Sequence, residues 1–179
     1  DPTDFNIVYY ETQSGGATRI DLRTGVRKSI RPSPPPPKAG EERERYRFDW
    51  NTPILLSPHN PQTVFFGANK LLKSVNRGNN WHEISPDLTA DPKNRNTAIV
   101  SIDESPLVTG IIWAGTNDGN VWLTKNGGDD WTKLNKKIKD APKKYWVKRL
   151  EASNHEKGRA YLVLDGHRYD DINPYIYYT

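Results

Sequence analysis

A dipeptide anchor recurs along this chain with a strand at a fixed distance behind it, and nothing else in the sequence restricts the fold as much. Asp1-Pro2, Ser57-Pro58, Ser105-Pro106 and Ser153-Asn154 each precede, by six residues from the second member, Val8-Tyr9-Tyr10, Val64-Phe65-Phe66, Ile112-Trp113-Ala114 and Ala160-Tyr161-Leu162-Val163. The second members stand at 2, 58, 106 and 154, so the intervals are 56, 48 and 48 residues. A period of about 50 residues with several short strands per unit is that of a β-propeller blade, a small sheet that stacks on its neighbours around an axis.

Each unit reads as up to four strands, rich in Val, Ile, Trp, Tyr and Phe and broken by Gly, Asn, Asp and Pro. The second unit is expected to hold strands over 52–57, 63–68, 70–75 and 81–85, and the third over 97–103, 110–116, 120–124 and 131–134. The first unit, starting at Asp1, has room for three, over 6–11, 17–22 and 26–30; the fourth has 146–152, 160–164 and 174–178. Asn117-Asp118-Gly119-Asn120 joins two strands as a tight hairpin. No stretch shows helical periodicity, although Ile138–Tyr145 has room for one turn before Pro142 stops it. The expectation is an all-β chain: a β-propeller fragment of about four blades, two complete four-stranded blades flanked by two incomplete ones. The units span approximately 1–31, 46–90, 96–136 and 145–179, with a Pro-rich and charged linker over 32–45. An open arc leaves blade faces bare, so the rest of the ring is expected as a partner, from the same polypeptide or a second chain.

Composition removes several classes. The chain of 179 residues has no cysteine, which excludes a disulfide framework and a thiol nucleophile. No apolar run approaches the roughly 20 residues of a membrane helix, so membrane insertion is not expected. The net charge is +4, and the basic excess concentrates in Lys133, Lys136, Lys137, Lys139, Lys143, Lys144, Lys148 and Arg149 around Tyr145-Trp146. Basic residues interleaved with aromatics can serve single-stranded nucleic acid. Without a recognition motif the run reads instead as a solvated linker whose lysines blunt sheet edges, and nucleic acid is not an expected partner. Arg31-Pro32-Ser33-Pro34-Pro35-Pro36-Pro37-Lys38 reads as a stiff polyproline connection rather than a peptide ligand.

Two hairpins carry a shared pattern: Ser74-Val75-Asn76-Arg77-Gly78-Asn79-Asn80-Trp81 and Thr124-Lys125-Asn126-Gly127-Gly128-Asp129-Asp130-Trp131. A hydroxyl residue and an Asx residue two apart can accept backbone N–H groups inside the turn. The glycine permits a left-handed backbone, and the Trp is expected to fold over the turn. Ser74, Asn76, Gly78 and Trp81, with Thr124, Asn126, Gly128 and Trp131, resemble the Asp-box, Ser-x-Asp-x-Gly-x-x-Trp, of BNR-repeat propellers, with Asn in the Asp position of both. What is known of that motif implies a peripheral folding element rather than a ligand site. The stretches Trp50–Pro61, Trp81–Thr89 and Asp165–Asp171 widen the resemblance to the large bacterial Asp-box propellers. These are similar to the Vps10 (sortilin-type) luminal domain and are often described as glycosyl hydrolases. The resemblance implies a secreted, periplasmic or cell-surface protein, of which this chain is expected to be an internal or processed segment.

Glycoside hydrolysis needs two carboxylates facing one cleft. Asp49, Asp103, Glu104, Asp118 and Asp165 are the acidic residues at strand ends or loops, and Asp103-Glu104, after a pore-lining type of strand, is the catalytic candidate pair. The bland alternative is ordinary loop carboxylates. A sialidase would need an arginine triad on separate blades. Arg43, Arg45 and Arg47 sit instead in one charged linker with Glu41, Glu42 and Glu44, and Arg149, Arg159 and Arg168 are scattered. His59, His82, His155 and His167 show no metal-ligand spacing, and neither metal nor cofactor is expected. The densest polar cluster is Asp165, His167, Arg168, Asp170 and Asp171, the ligand-loop candidate, which Asx-turn bonding explains equally well. The reading is a non-catalytic binding or scaffold segment that presents loops and a pore to a protein, peptide or glycan. The alternative is part of a glycoside hydrolase, xyloglucanase- or sialidase-like, whose active site further blades complete.

Overall fold

The computed structural model describes residues 1–40, 42 and 44–179; Glu41 and Arg43, in the charged linker and the arginine cluster, lie outside the described residues. Among the described residues, fourteen strands make four antiparallel sheets. Blade I is β1 (Ile7–Thr12), β2 (Gly16–Asp21) and β3 (Arg27–Ser29). Blade II is β4 (Ile54–Leu56), β5 (Val64–Gly67), β6 (Leu71–Ser74) and β7 (His82–Glu83). Blade III is β8 (Ile99–Glu104), β9 (Ile112–Thr116), β10 (Val121–Thr124) and β11 (Thr132–Lys133). Blade IV is β12 (Trp146–Ala152), β13 (Ala160–Asp165) and β14 (Tyr175–Tyr178). Within each sheet every strand pairs with its neighbour in sequence, so each blade is an up-and-down meander. The chain is a β-propeller segment, two four-stranded blades between two three-stranded ones.

The anchors explain the repeat. The backbone N–H of Ser57, Ser105 and Ser153 donates to the carbonyls of Thr63, Ile111 and Arg159, and the Asp1 amino group donates to Ile7 O. The anchor side chain then accepts the N–H two residues on: Thr3 on Asp1 Oδ1, and His59, Leu107 and His155 on the three serine hydroxyls. Asp and Ser are interchangeable there because either supplies an oxygen to the same turn.

Alternation along the strands sends side chains to opposite seams. Phe66 joins Ala17, Ile30, Ala68 and Leu72 between blades I and II, whereas its neighbour Phe65 joins Leu71, Leu88, Ile99 and Ile112 between blades II and III. Trp113, Val121, Leu134, Val147, Leu150 and Leu162 fill the third seam. Each Phe, Leu, Ile or Val buried in these seams is worth about 1.5–3 kcal/mol. At the inner edge β8 touches both β4 and β12. The ladder slips at the same repeat position in β8 (Ile99/Ser101) and β12 (Val147/Arg149). A bulge there increases the bend and twist of the inner strand.

One expectation needs correction. Residues 138–145 hold no helical turn; among the described residues the 3-10 turns are Asn135–Lys137 and His167–Tyr169. Asp140 (φ 57°) and Lys144 (φ 69°) have left-handed backbones, which no right-handed turn tolerates.

Candidate binding surface

The loop cluster singled out in the sequence is drawn together at one end of blade IV, after β13. The Asp165 carboxylate Oδ1 accepts the His167 backbone N–H (3.0 Å) and lies 2.5 Å from His167 Nδ1. Burial alone would raise the Asp165 carboxyl, but the His167 bonds outweigh it and hold it low. The Arg168 guanidinium lies over the Trp146 ring, 4.1 Å from its centroid, a cation–π geometry. Asp170 takes the left-handed backbone (φ 57°) that ends the 3-10 turn.

Asp171 is the hub. It accepts from the backbone and side-chain amides of Asn173 and from the hydroxyls of Tyr145 and Tyr175, both at 2.8 Å. Four donors on one carboxylate stabilise its ionised form, and its pKa falls to about 2, the Asn173 backbone N–H contributing most. Its own hydroxyl bond to the Asp171 carboxylate pushes the Tyr145 phenol up to about 12. The rings of Tyr145 and Tyr169 stack at 5.1 Å, Tyr175 meets Tyr145 edge-on, and Tyr169 remains 51% exposed. Gly166 makes this possible: a Cβ there would lie 2.5 Å from Tyr145 Cε2.

The sequence reading missed Tyr145, Trp146, Tyr169 and Tyr175. Tyr145-Trp146 was placed inside a basic linker, and only the pairing of β12 with β13 (Trp146 opposite Asp165) brings it beside the loop. What results is a partly exposed aromatic surface with cationic and anionic groups at its margin. It can stack on a planar or sugar ring and pair with charged or amide groups.

The catalytic candidates are differently employed. Glu104 is 4% exposed; its Oε2 accepts the Ser57 hydroxyl (2.5 Å) and its Oε1 the Gly110 N–H (3.1 Å), so it ties blade II to blade III. Asp103 Oδ2 accepts the Ala152 N–H at 2.6 Å, tying blade III to β12, and burial raises its carboxyl. Asp49 accepts from the Asn117 side chain, and Asp118 accepts from the Thr116 hydroxyl and the Ala90 N–H. Arg47 is held by Asp87, Thr89, Thr97 O and Pro92 O. These are bonds within and between blades. Among the described residues no group of three or more His, Asp or Glu is placed to hold a metal, and no helix is long and apolar enough to cross a membrane.

The two Trp hairpins share one geometry. Ser74 Oγ accepts the N–H of Asn76 and Gly78, while Asn76 Oδ1 accepts the Asn80 N–H. Thr124 Oγ1 accepts from Asn126 and Gly128, while Asn126 Oδ1 accepts from Asp130. Gly78 (φ 80°) and Gly128 (φ 113°) are left-handed. The tryptophans reach across to the neighbouring blade. Trp81 Nε1 donates to Ile30 O (2.8 Å) and Trp131 Nε1 to Ile84 O (2.7 Å), each on the preceding blade.

No family model matches the sequence, and no curated protein matches it. Solved structures do. The chain is similar to a GH74 enzyme of Niastella koreensis (TM-score 0.59, 16% identity, 99% of this chain and 27% of that one). It is similar to the GH74 xyloglucanase of Xanthomonas campestris (TM-score 0.54, 18% identity, 92% of this chain and 26% of that one). It is also similar to YCF48 bound to D1 peptide (TM-score 0.52, 15% identity, 90% of this chain and 45% of that one). The chain thus spans less than half the length of each. At these identities the likeness concerns the fold, which is a β-propeller.

Proposed function

We propose that this chain is the ligand-binding segment of a larger Asp-box β-propeller protein, exported to the periplasm, cell surface or medium, and that it captures a peptide, protein or glycan without chemical turnover. The observation that carries the reading is the platform at one end of blade IV. There Tyr145, Tyr169 and Tyr175 gather around Asp171, and Arg168 lies on Trp146. Rigid aromatics bring contact area at little entropic cost, and the charged rim gives direction. The peptide named with YCF48 lends weight to a peptide ligand, by analogy of fold only.

Peptide and oligosaccharide arrays probed with the protein test this. A bound class should lose roughly tenfold in affinity on Tyr169→Ala or Arg168→Ala, both exposed, with the fold unchanged. Binding indifferent to both substitutions would overturn the reading. A second reading, a glycoside hydrolase completed by further blades, draws on the likeness to GH74 enzymes and on the raised Asp103 carboxyl. Polysaccharide turnover abolished by Asp103→Ala would favour it over binding.

A further inference from the structure

The cleft between blades I and II gathers positive charge where the corresponding cleft between blades II and III does not. The N–H groups of Ile30 and Ile84 donate to Ala17 O and Leu71 O, which aligns β2 with β6. Two residues on, Arg19 pairs with Lys28 in blade I, and Lys73 with His82 in blade II. The Trp hairpin of the next blade closes each cleft, with Gly78 against Ile30 in the first and Gly128 against Ile84 in the second. In that hairpin Arg77 and Asn79 stand where blade III has Gly127 and Asp129. The first cleft, of about 530 Å³, is thus lined by Arg19, Lys28 and Arg77, with Asn79 between them. Both of its walls are hairpins whose two strands are present, β2–β3 and β6–β7.

The blade repeat does not account for these side chains. Arg77 has a left-handed backbone (φ 61°) where the sister hairpin has Gly127 (φ 75°), a conformation uncommon for a residue with a Cβ. Such strain, at a position that glycine fills elsewhere, points to a use for the side chain. Arg19 and Lys28 share one neutral acceptor, Asn79 Oδ1, at 3.5 and 2.7 Å, and Arg19 also donates to Arg77 O at 2.6 Å. The carboxylates nearby are engaged: Asp21 by the Arg23 guanidinium, and Asp1 by Arg77 Nη2 at 3.3 Å. Cations held together around a neutral acceptor repel one another, and an anion among them would relieve this. Tyr9 pairs with Arg19 where Phe65 pairs with Lys73, which adds a hydroxyl. Tyr9 Oη and Arg77 Nε are buried and have no hydrogen-bond partner among the described residues. Burial raises the Tyr9 phenol while the charges of Arg19 and Arg77 oppose the rise, so the hydroxyl lies within reach of both. Buried polar groups are ordinarily paired, with protein, water or an ion.

We infer that the cleft between blades I and II is an anion site, and that it takes a tetrahedral oxyanion, a sulfate or phosphate group. Two guanidiniums and an ammonium approach from three separate elements, β2, β3 and the β6–β7 hairpin, which suits a tetrahedral ion better than a planar carboxylate. Asn79 Oδ1 orients Arg19 and Lys28, and Arg77 closes the third side. The site is separate from the blade IV platform. Successive turns of an antiparallel meander emerge at opposite ends of the sheet, and the platform follows the second strand of its blade whereas this cleft lies at the turns after the third.

The probes are sodium sulfate, sodium phosphate and, as a planar control, sodium acetate, each titrated calorimetrically into the intact protein at constant ionic strength. Saturable binding of sulfate, phosphate or both is expected, with Kd on the order of 1 mM or tighter and acetate at least about tenfold weaker. Saturation by one of the two and not the other identifies the group that the ligand carries. Arg77→Gly, which keeps the turn as Gly127 does in the sister hairpin, and Lys28→Gln should each weaken binding about tenfold. Amide shifts on the unaltered protein should centre on Arg19, Lys28, Arg77 and Asn79, a readout that does not depend on a variant folding. No saturation up to about 20 mM, acetate binding as well as sulfate and phosphate, affinity unchanged in both variants, or shifts confined to residues 133–149 would each overturn the inference.

Discussion

Gly115 shows how a single missing Cβ sets the distance between blades. A Cβ there would lie 2.1 Å from Val147 Cγ1, on the inner strand of the next blade; at the equivalent Gly67 it would lie 3.1 Å from Ile99 Cγ2 of the next blade and 2.6 Å from Pro53 Cγ of its own. Gly115→Ala should therefore cost about 1–3 kcal/mol by overpacking, read as a lower denaturation midpoint with unchanged slope. Asp171 is the residue whose effect depends on pH. Its folded pKa of about 2 lies below the ordinary 3.8, so its contribution to stability is full above the ordinary value and is lost as pH falls towards 2. Asp171→Asn should be less stable than the parent at neutral pH, and thermal melts between pH 5 and 2 should show the difference shrinking. Gly67 and Gly115 stand 48 residues apart, one repeat, but what excludes a side chain at Gly115 is a contact with the next blade that only packing creates.

At the scale of elements, the hairpin chemistry was legible in the residue order because its bonds span no more than four residues. Thr124, 1% exposed, accepts two backbone N–H groups, and its loss would leave both unpaired beside the core. Thr124→Val should cost about 1–3 kcal/mol in equilibrium unfolding, while Thr124→Ser should be close to neutral. Trp131→Ala removes a seam-filling ring and its bond to Ile84 O, and a loss of about 3 kcal/mol is expected from the same measurement. The strands themselves followed from alternation and turn residues, with ends differing by one or two positions. The 3-10 turn at Asn135–Lys137 was not anticipated. It depends on Asn135, whose side chain accepts Val121 N–H and donates to Gly119 O, bonds that need β10 already in place.

For the whole molecule, stability is distributed over three seams, and the two outer faces of the arc are open. On blade IV, Ile176 and Tyr178 are 69% and 73% exposed, and on blade I Leu22 and Val26 are exposed as well. Apolar faces of this kind promote association. Sedimentation velocity should show a concentration-dependent rise in mass, diminished by Ile176→Lys with Tyr178→Lys. A monomer at all concentrations would count against any role for these faces in contact with further blades or a second chain.

From its residues alone the chain determined the blade period, the strand positions and the hydrogen bonding of its turns. Those rest on local backbone chemistry and on alternation within a few residues. Only the tertiary structure decided where the long-range partners fall: Trp81 on Ile30, Glu104 on Ser57, and Tyr145 stacked against Tyr169. Their separations in sequence, 51 and 47 residues for the first two, equal about one blade. Such contacts exist only once neighbouring sheets are rotated about a common axis and packed, which no window of sequence encodes. Asp103 and Glu104, adjacent on β8, point to opposite faces by strand alternation, and packing then gives them partners on opposite sides, Ala152 of blade IV and Ser57 of blade II.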